Sequence, residues 1–384
     1  MPEKQDIEWK ASWRDEYLKW ICGFANANGG IIYIGKDDEG NIVGIDDYKR
    51  LMDDIPNKIQ NHLGILCDIN LHESSEKYYI EINVKPYDIA ISYHGKYHYR
   101  SGSTKQELKG TMLNEFLLKK AGKTWDDTTE PNATFADIDE NSIQFFIQEA
   151  VKTQRLPFLR SDNTQILENL RLIENGKFKR AAVLLFGKEP CKFFINAYAK
   201  IGKFGISDDD LQSQEIVEGN IFQLADQIIE ILDKKYFIKT ISYDDLHRVE
   251  TTPYPFAAIR EALINAIIHR NYFGPPIQIS LYDDKIIIWN VGELPEQITI
   301  DDLKRKHASY PRNPRLADVF FKGGLIEAWG RGTLKIINEC NKFGLPDPSI
   351  ELMNGGIAVT IYKNEKAKEA EEALRKGDLE AIPF

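Results

Sequence analysis

Apolar positions recur at helical spacing in "SWRDEYLKWICGFA" (12–25), where Trp13, Tyr17, Trp20, Ile21 and Phe24 fall on one face. Ser12 followed by Asp15 has the form of a capping box, which places the helix start there. Asn28-Gly29-Gly30 breaks the period; "IIYIGKD" then reads as a buried strand, "DEGN" as a turn and "NIVGI" as a second strand. Helical spacing returns over 46–63. The stretches "KYYIEINV" and "AISYHGKYHYRSGS" predict further strands, the latter folded back at His94-Gly95-Lys96. This first part is expected to be an α+β unit with a short mixed sheet, occupying residues 1–125.

Residues 126–139 ("DDTTEPNATFADID") have no periodicity and read as a linker. A middle α/β region over 140–250 follows. Its pieces "ENSIQFFIQEAVKT" and "NTQILENLRLIENGKF" have helical spacing, "RAAVLLFG" reads as a buried strand, "AYAKIGKFG" as another strand, and "IFQLADQIIEILDKKY" as an amphipathic helix. A distinct pattern occupies 251–362: a helix at 256–270, the strand pair "IQISLYDDKIIIWNVG", a polar loop, a helix at 330–343 and a last strand "GIAVTIYK". The tail 363–384 is a charged, helix-like stretch with few apolar anchors. A length of 384 residues suits two or three compact units.

Composition changes this picture little. With 42% hydrophobic and 11% aromatic residues, the chain can build ordinary cores. No apolar run is long enough to span a bilayer, so no membrane association is expected. The charged start carries no apolar signal region, and Cys22, Cys67, Cys191 and Cys340 are scattered without metal-ligand spacing; both facts fit a reduced, cytoplasmic protein. The net charge of −10 argues against nonspecific coating of nucleic acid. Locally the balance reverses. Lys96, Arg100, Lys105, Lys109, Lys119, Lys120 and Lys123 face only Glu107 and Glu115 within 96–123, either a solvated surface or one that meets phosphate.

The fragments "IEWK", "CGFANANGGIIYIGKDDEGNIVGI" and "YHYRSGST", in that order, resemble the Schlafen AlbA-type domain across roughly the first 125 residues. The resemblance implies nucleic-acid binding, and in the family's ribonucleases a divalent-metal site made by two glutamates five apart and an aspartate of the D-D pair. Those positions are Glu3, Glu8 and Asp38 here, with Asp37 adjacent; Mg²⁺ or Mn²⁺ would be the metal. A straight strand would put Glu3 and Glu8 on opposite faces, so a shared metal requires a bend around residues 4–6. The bland alternative is a loose terminus beside a plain hairpin turn. Asn26 and Asn28 read as cap and turn residues, and His94 and His98 as surface histidines. Lys10, Arg100, Ser101, Ser103, Thr104 and Lys105 are the candidate phosphate contacts.

In "REALINAIIHRNY", Glu261, Asn265 and His269 stand at i, i+4 and i+8 on one helical face. With "WNVGELP", "YPRNPRLADVF" and "EAWGRGTLKII", they resemble the ATP-binding C-terminal region of RecG-related proteins, a GHKL-like α/β sandwich, over about residues 250–362. The resemblance implies that Asn265 holds Mg²⁺ with the nucleotide phosphates, that Glu261 activates water, and that Gly330 and Gly332 offer amides to phosphate. The family's adenine-reading aspartate is replaced in Asn290-Val291-Gly292: an amide oxygen can still accept the hydrogen bond, but the charge is gone. The alternative is a purely structural module.

Three readings follow, the plainest of them a nucleotide-binding scaffold with neither of the activities named next. One is metal-dependent cleavage of structured RNA coupled to a nucleotide-binding module, with phage defence as the family's analogy. The other is a non-catalytic, DNA-binding transcriptional regulator whose C-terminal module senses ATP or forms a homo-oligomer. No helix-turn-helix pattern is evident after residue 362.

Overall fold

The computed structural model describes residues 6–102, 104–156, 162–205, 207–244, 247–295, 297–327 and 330–363, with backbone alone over 240–251. It divides into two compact units, Met1–Lys123 and Thr124–Phe384. Both mix helices and sheets, giving the α+β class expected from the sequence.

Unit 1 runs β1 (Ile7–Lys10), α1 (Leu18–Asn26), β2 (Gly30–Ile34), α2 (Tyr48–Leu63), β3 (Asp68–Ser74), β4 (Lys77–Val84), β5 (His98–Ser101), β6 (Thr104–Glu107) and α3 (Gly110–Lys120). Four strands form one sheet in the order β1-β2-β4-β3, with β1 parallel to β2 and the other pairs antiparallel. Ile32, Ile34, Ile80 and Ile82 on one face pack against Leu18, Ile21 and Phe24 of α1 and Leu51, Ile55 and Ile59 of α2. The α1–β2 turn demands glycine at residue 30, because a Cβ there would lie 2.2 Å from the Phe24 ring.

Several local expectations are corrected. Asp15 does not complete a capping box; its carboxylate accepts from Trp13 and Lys58, and the helix begins with a 3-10 turn at Asp15–Tyr17. "NIVGI" forms a single bridge, Lys36 to Ile42, rather than a strand, because Asp37 ties the loop to itself. Asn26 is a bracket rather than a cap: its amide donates to the Ile91 and His98 carbonyls and accepts from Ile91 N–H, fixing the chain before β5 against α1. His98 is buried, and burial lowers its pKa; it is not a surface histidine.

Unit 2 contains α4 (Glu140–Thr153), α5 (Asn163–Asn169), β7 (Ile173–Glu174), β8 (Lys177–Phe178), α6 (Arg180–Phe186), β9 (Ala199–Phe204), β10 (Leu211–Val217), α7 (Ile221–Ile231), β11 (Thr240–Asp244), β12 (His247–Thr251), α8 (Phe256–His269), β13 (Ile277–Leu281), β14 (Lys285–Val291), α9 (Pro314–Lys322), α10 (Gly332–Lys342), β15 (Ser349–Met353) and β16 (Gly356–Tyr362). Its main sheet has the order β10-β9-β13-β14-β16-β15, in which only β9 and β13 pair in parallel. α8 is apolar on most sides and correspondingly buried, with α7, α9, α10 and β14 packed around it.

The "RAAVLLFG" run is helix α6, not a strand. It is buried from Ala181 through Phe186, and a short apolar run surrounded by protein carries no periodicity to tell the two apart. Nor is 126–139 a free linker. Asp126 is fully buried and accepts from the backbone N–H groups of Arg315 and Leu316, capping α9, while Asp127 pairs with Lys179 and Arg315. Trp125 stacks on Tyr272 with centroids 5.2 Å apart, within unit 2. Among the described residues no helix is long and apolar enough to cross a membrane.

Candidate functional site

Glu8 sits on the helix-facing side of β1, 1% exposed, and both of its oxygens are engaged. Oε1 lies 2.6 Å from Lys10 Nζ and Oε2 accepts from Arg100 Nη1 at 2.5 Å. Arg100 is equally buried. Its guanidinium lies between Trp20 (4.9 Å) and Phe24 (4.8 Å), and Nη2 donates to the Ile7 carbonyl. Lys10 and Lys105 stand 5.4 and 5.7 Å from the same Trp20 ring. Three candidate phosphate contacts, from β1, β5 and β6, therefore converge on one half-buried indole of α1. Burial lowers the Lys105 ammonium's pKa, and the neighbouring charge of Lys19 lowers it further, as expected where positive charge is concentrated. Ser101 and Thr104 are exposed at the β5–β6 turn, joined by a bond from the Thr104 hydroxyl to the Ser101 carbonyl. Ser103 and Glu3 lie outside the described residues. The basic run is partly neutralised, since Lys96 and Lys109 both pair with Glu107.

Of the expected metal ligands, Glu3 lies outside the described residues, and Glu8 and Asp38 are not grouped with a third ligand among those described. Glu8 is committed to two cations. Asp37 accepts from Glu39 N–H, Asn41 N–H and the Asn41 amide, and these bonds, led by the Asn41 side chain, hold its pKa below the usual carboxylate range. Asp38 is exposed at the tip of that turn. Among the described residues no three His, Cys, Asp or Glu side chains are grouped to hold a metal.

The second constellation lies in unit 2. Glu261, Asn265, His269, Asn290, Gly330 and Gly332 all line one cavity, with an apolar wall that includes Ile288, Leu294 and Ile298. Glu261, Asn265 and His269 reach it from successive turns of α8, Asn290 from β14, and the two glycines from the start of α10. Gly332 meets α8 so closely that a Cβ would lie 2.7 Å from Glu261 Oε1 and 3.0 Å from Asn265 Nδ2. At Gly330 the backbone takes a φ of +60°, and a Cβ would strike the His307 carbonyl. Asn290 is buried and donates its amide to the Val291 carbonyl, leaving its oxygen as the acceptor. Gly292 lies beside the cavity, where a Cβ would come 3.0 Å from the His269 carbonyl. Burial pushes the His269 imidazole down to about 4, reinforced by Arg312 and His307, so the ring is neutral at pH 7.

Several contributors escaped the sequence. Trp20 looked like one more core position on a helix. Asn313 donates its amide to the Ile268 and Arg270 carbonyls and so closes the C-terminal end of α8. Lys335 lies 3.2 Å from Glu261 Oε2. Each depends on a contact distant in sequence; only Asn313, next to Pro314 at a helix start, carried a local signal.

Residues 3–109 match the family model Schlafen, AlbA_2. Residues 274–361 match the HATPase_c_4 family model, ATP-dependent DNA helicase recG C-terminal, and residues 114–198 match a domain of unknown function. The chain thus joins an AlbA_2-type N-terminal part to a RecG-type, ATPase-like C-terminal part, in line with the two resemblances read from the sequence. The C-terminal match begins beyond α8, so Glu261, Asn265 and His269 lie outside it. No curated protein matches the chain. Among solved structures, the DIP2311 protein from Corynebacterium diphtheriae aligns over 96% of this chain and 78% of its own, with a TM-score of 0.51 and 19% identity, a likeness of fold. The N-terminal domain of an ATP-dependent DNA helicase RecG-related protein from Nitrosomonas europaea aligns over 29% of this chain and 87% of its own, with 22% identity and a TM-score of 0.22.

Proposed function

We propose that this chain is a nucleotide-responsive nucleic-acid-binding protein, the regulator-like alternative rather than a metal-dependent ribonuclease. The carrying observation is the placement of Lys10 and Lys105 beside Trp20, whereas Arg100, 1% exposed and paired with Glu8, supports the site from inside and is not placed to meet a phosphate. Cations beside a partly exposed aromatic ring are a usual means of holding a phosphate backbone while a base stacks. Glu8 serves this site as the anchor of Lys10 and Arg100. As a metal ligand it would have to share its oxygens with two cations already bound, and this weighs against cleavage through Glu3, Glu8 and Asp38. The likeness to AlbA_2 supports a nucleic-acid partner.

In unit 2 the same proposal assigns the cavity between α8 and α10 to a nucleoside triphosphate. Gly330 and Gly332 offer amides to phosphate at the start of an eleven-residue helix. Asn265 would supply an amide oxygen to Mg²⁺ carried by the nucleotide, and the Asn290 oxygen would accept from the base. The ATPase-like family match supports this assignment.

The test is fluorescence anisotropy of labelled single-stranded RNA and duplex DNA titrated with the full chain, with and without ATP. Gels run in Mg²⁺ and in Mn²⁺ follow strand integrity. The expected result is saturable, salt-sensitive binding that ATP alters and that leaves the strands intact. Absence of binding to either probe would overturn the proposal, and cleavage lost in Glu8→Ala would restore the nuclease alternative.

A further inference from the structure

Lys335 stands three residues beyond Gly332, one turn into α10, and its ammonium lies 3.2 Å from Glu261 Oε2. The two partners differ in their freedom. The Glu261 side chain is 9% exposed, whereas that of Lys335 is 47% exposed on a flexible stem. Their bridge joins α10 to α8 at Glu261, which lines the cavity and against which Gly332 presses, while Lys335 itself stands outside the lining. The exposed side chain of Arg331 lines the same end, and the first-turn amides of α10 add partial positive charge there.

An ammonium in this position faces a choice once an anion enters. A terminal phosphate carries more charge than one carboxylate and has three acceptor oxygens, so it competes effectively for a mobile lysine. We propose that Lys335 is the residue that reads the terminal phosphate of a nucleoside triphosphate. In the structure Glu261 holds it. A triphosphate takes the ammonium, the α8–α10 bridge opens, and Glu261 is released beside the phosphate. A diphosphate does not reach the lysine and leaves the bridge closed. This inference rests on the nucleotide assignment of the cavity and adds to it a means of telling ATP from ADP.

Calorimetric titration of the full chain with ATP and with ADP, each with Mg²⁺, tests the exchange. Wild type is expected to prefer ATP. Lys335→Ala should lower ATP affinity by about ten-fold or more and leave ADP affinity nearly unchanged, as for loss of one charge-assisted contact. Lys335→Arg, which keeps the charge, should retain the preference. Glu261→Gln removes the competing carboxylate and should widen the preference for ATP over ADP several-fold. Because the Lys335 side chain is half-exposed, its variants are not expected to unfold the unit, and thermal melts check this. If wild type binds both nucleotides equally, or if Lys335→Ala weakens both alike, the exchange is wrong while the nucleotide assignment stands. A preference not widened in Glu261→Gln also overturns it. If neither nucleotide binds wild type, the assignment and the inference fall together.

Discussion

Glu8 and Arg100 are 92 residues apart in sequence and meet at 2.5 Å, each only 1% exposed. The pair fixes β5 to β1 from the helix side of the sheet, and Lys10 adds a second cation to the same carboxylate. A carboxylate used this way has the opposite stability signature to one kept for a metal. Metal-free clustered carboxylates repel, and neutralising one relieves strain. Removing one member of a buried ion pair instead leaves a stranded charge.

Glu8→Gln in the presence of a chelator should therefore destabilise unit 1, by about 3 kcal/mol if the usual cost of breaking a buried pair applies. Peptide-resolved hydrogen exchange over β1, α1 and β5 measures this without requiring the two units to unfold together. Unchanged or slower exchange in the variant would show that Glu8 is not the anchor described here.

Trp20 and Lys105 should separate by the kind of loss they cause. Trp20→Ala removes a stacking surface and is expected to weaken single-stranded probes by roughly 1–3 kcal/mol per stacked base. Lys105→Ala removes a phosphate contact and should reduce the slope of log affinity against log salt by about one. Anisotropy titrations across a salt series distinguish them. Equal losses on every probe with no change in slope would mean that the cluster only holds α1 in place.

Gly332→Ala tests the close approach of α10 to α8. Alanine is the better helix former by about 1 kcal/mol, which opposes the steric cost of a Cβ 2.7 Å from Glu261 Oε1. The melting temperature without nucleotide should thus change little. The shift on adding ATP should shrink or vanish, because Glu261 and Asn265 must move aside. Full ATP protection in the variant would show that this contact does not shape the cavity.

What the sequence disclosed, and what it hid, follow from the range of the interactions. The turn after α1 was legible because Gly29 and Gly30 are local, and α8 was legible because Glu261, Asn265 and His269 share a helical period. The RecG-like and AlbA-like patterns were legible because their glycines and polar residues sit at short, fixed separations. The joining of Glu8 to Arg100 was not, since nothing near either residue announces a partner so distant in sequence. Segment 126–139 looked like a linker for the same reason: the N–H groups that Asp126 caps belong to α9, about 190 residues on. Helix α6 reads as a strand because its six buried apolar residues, Ala181 to Phe186, have no polar face to set their period. Trp20 reads as apolar from the sequence, but only the folded strand β1 and the β5–β6 hairpin bring cations around it.

His269 carries a pH dependence whose sign is fixed by its burial. Its folded pKa, about 4, lies below the ordinary value of 6.5, because burial, then Arg312 and His307, disfavour the charged ring. Above pH 6.5 neither folded nor unfolded chain protonates it, and its neutral burial costs nothing electrostatic. Between pH 6.5 and about 4 the unfolded chain binds a proton that the folded chain refuses, so stability falls as the pH falls. The depression corresponds to a loss of about 3 kcal/mol across that window. Carboxylates elsewhere also begin to titrate there, so the informative quantity is the difference between wild type and His269→Asn. That difference should shrink or reverse in the variant's favour as the pH is lowered from 6.5 toward 4, as followed by hydrogen exchange in α8. Parallel curves for the two proteins would show that the ring reaches solvent freely and does not line the cavity as a neutral group.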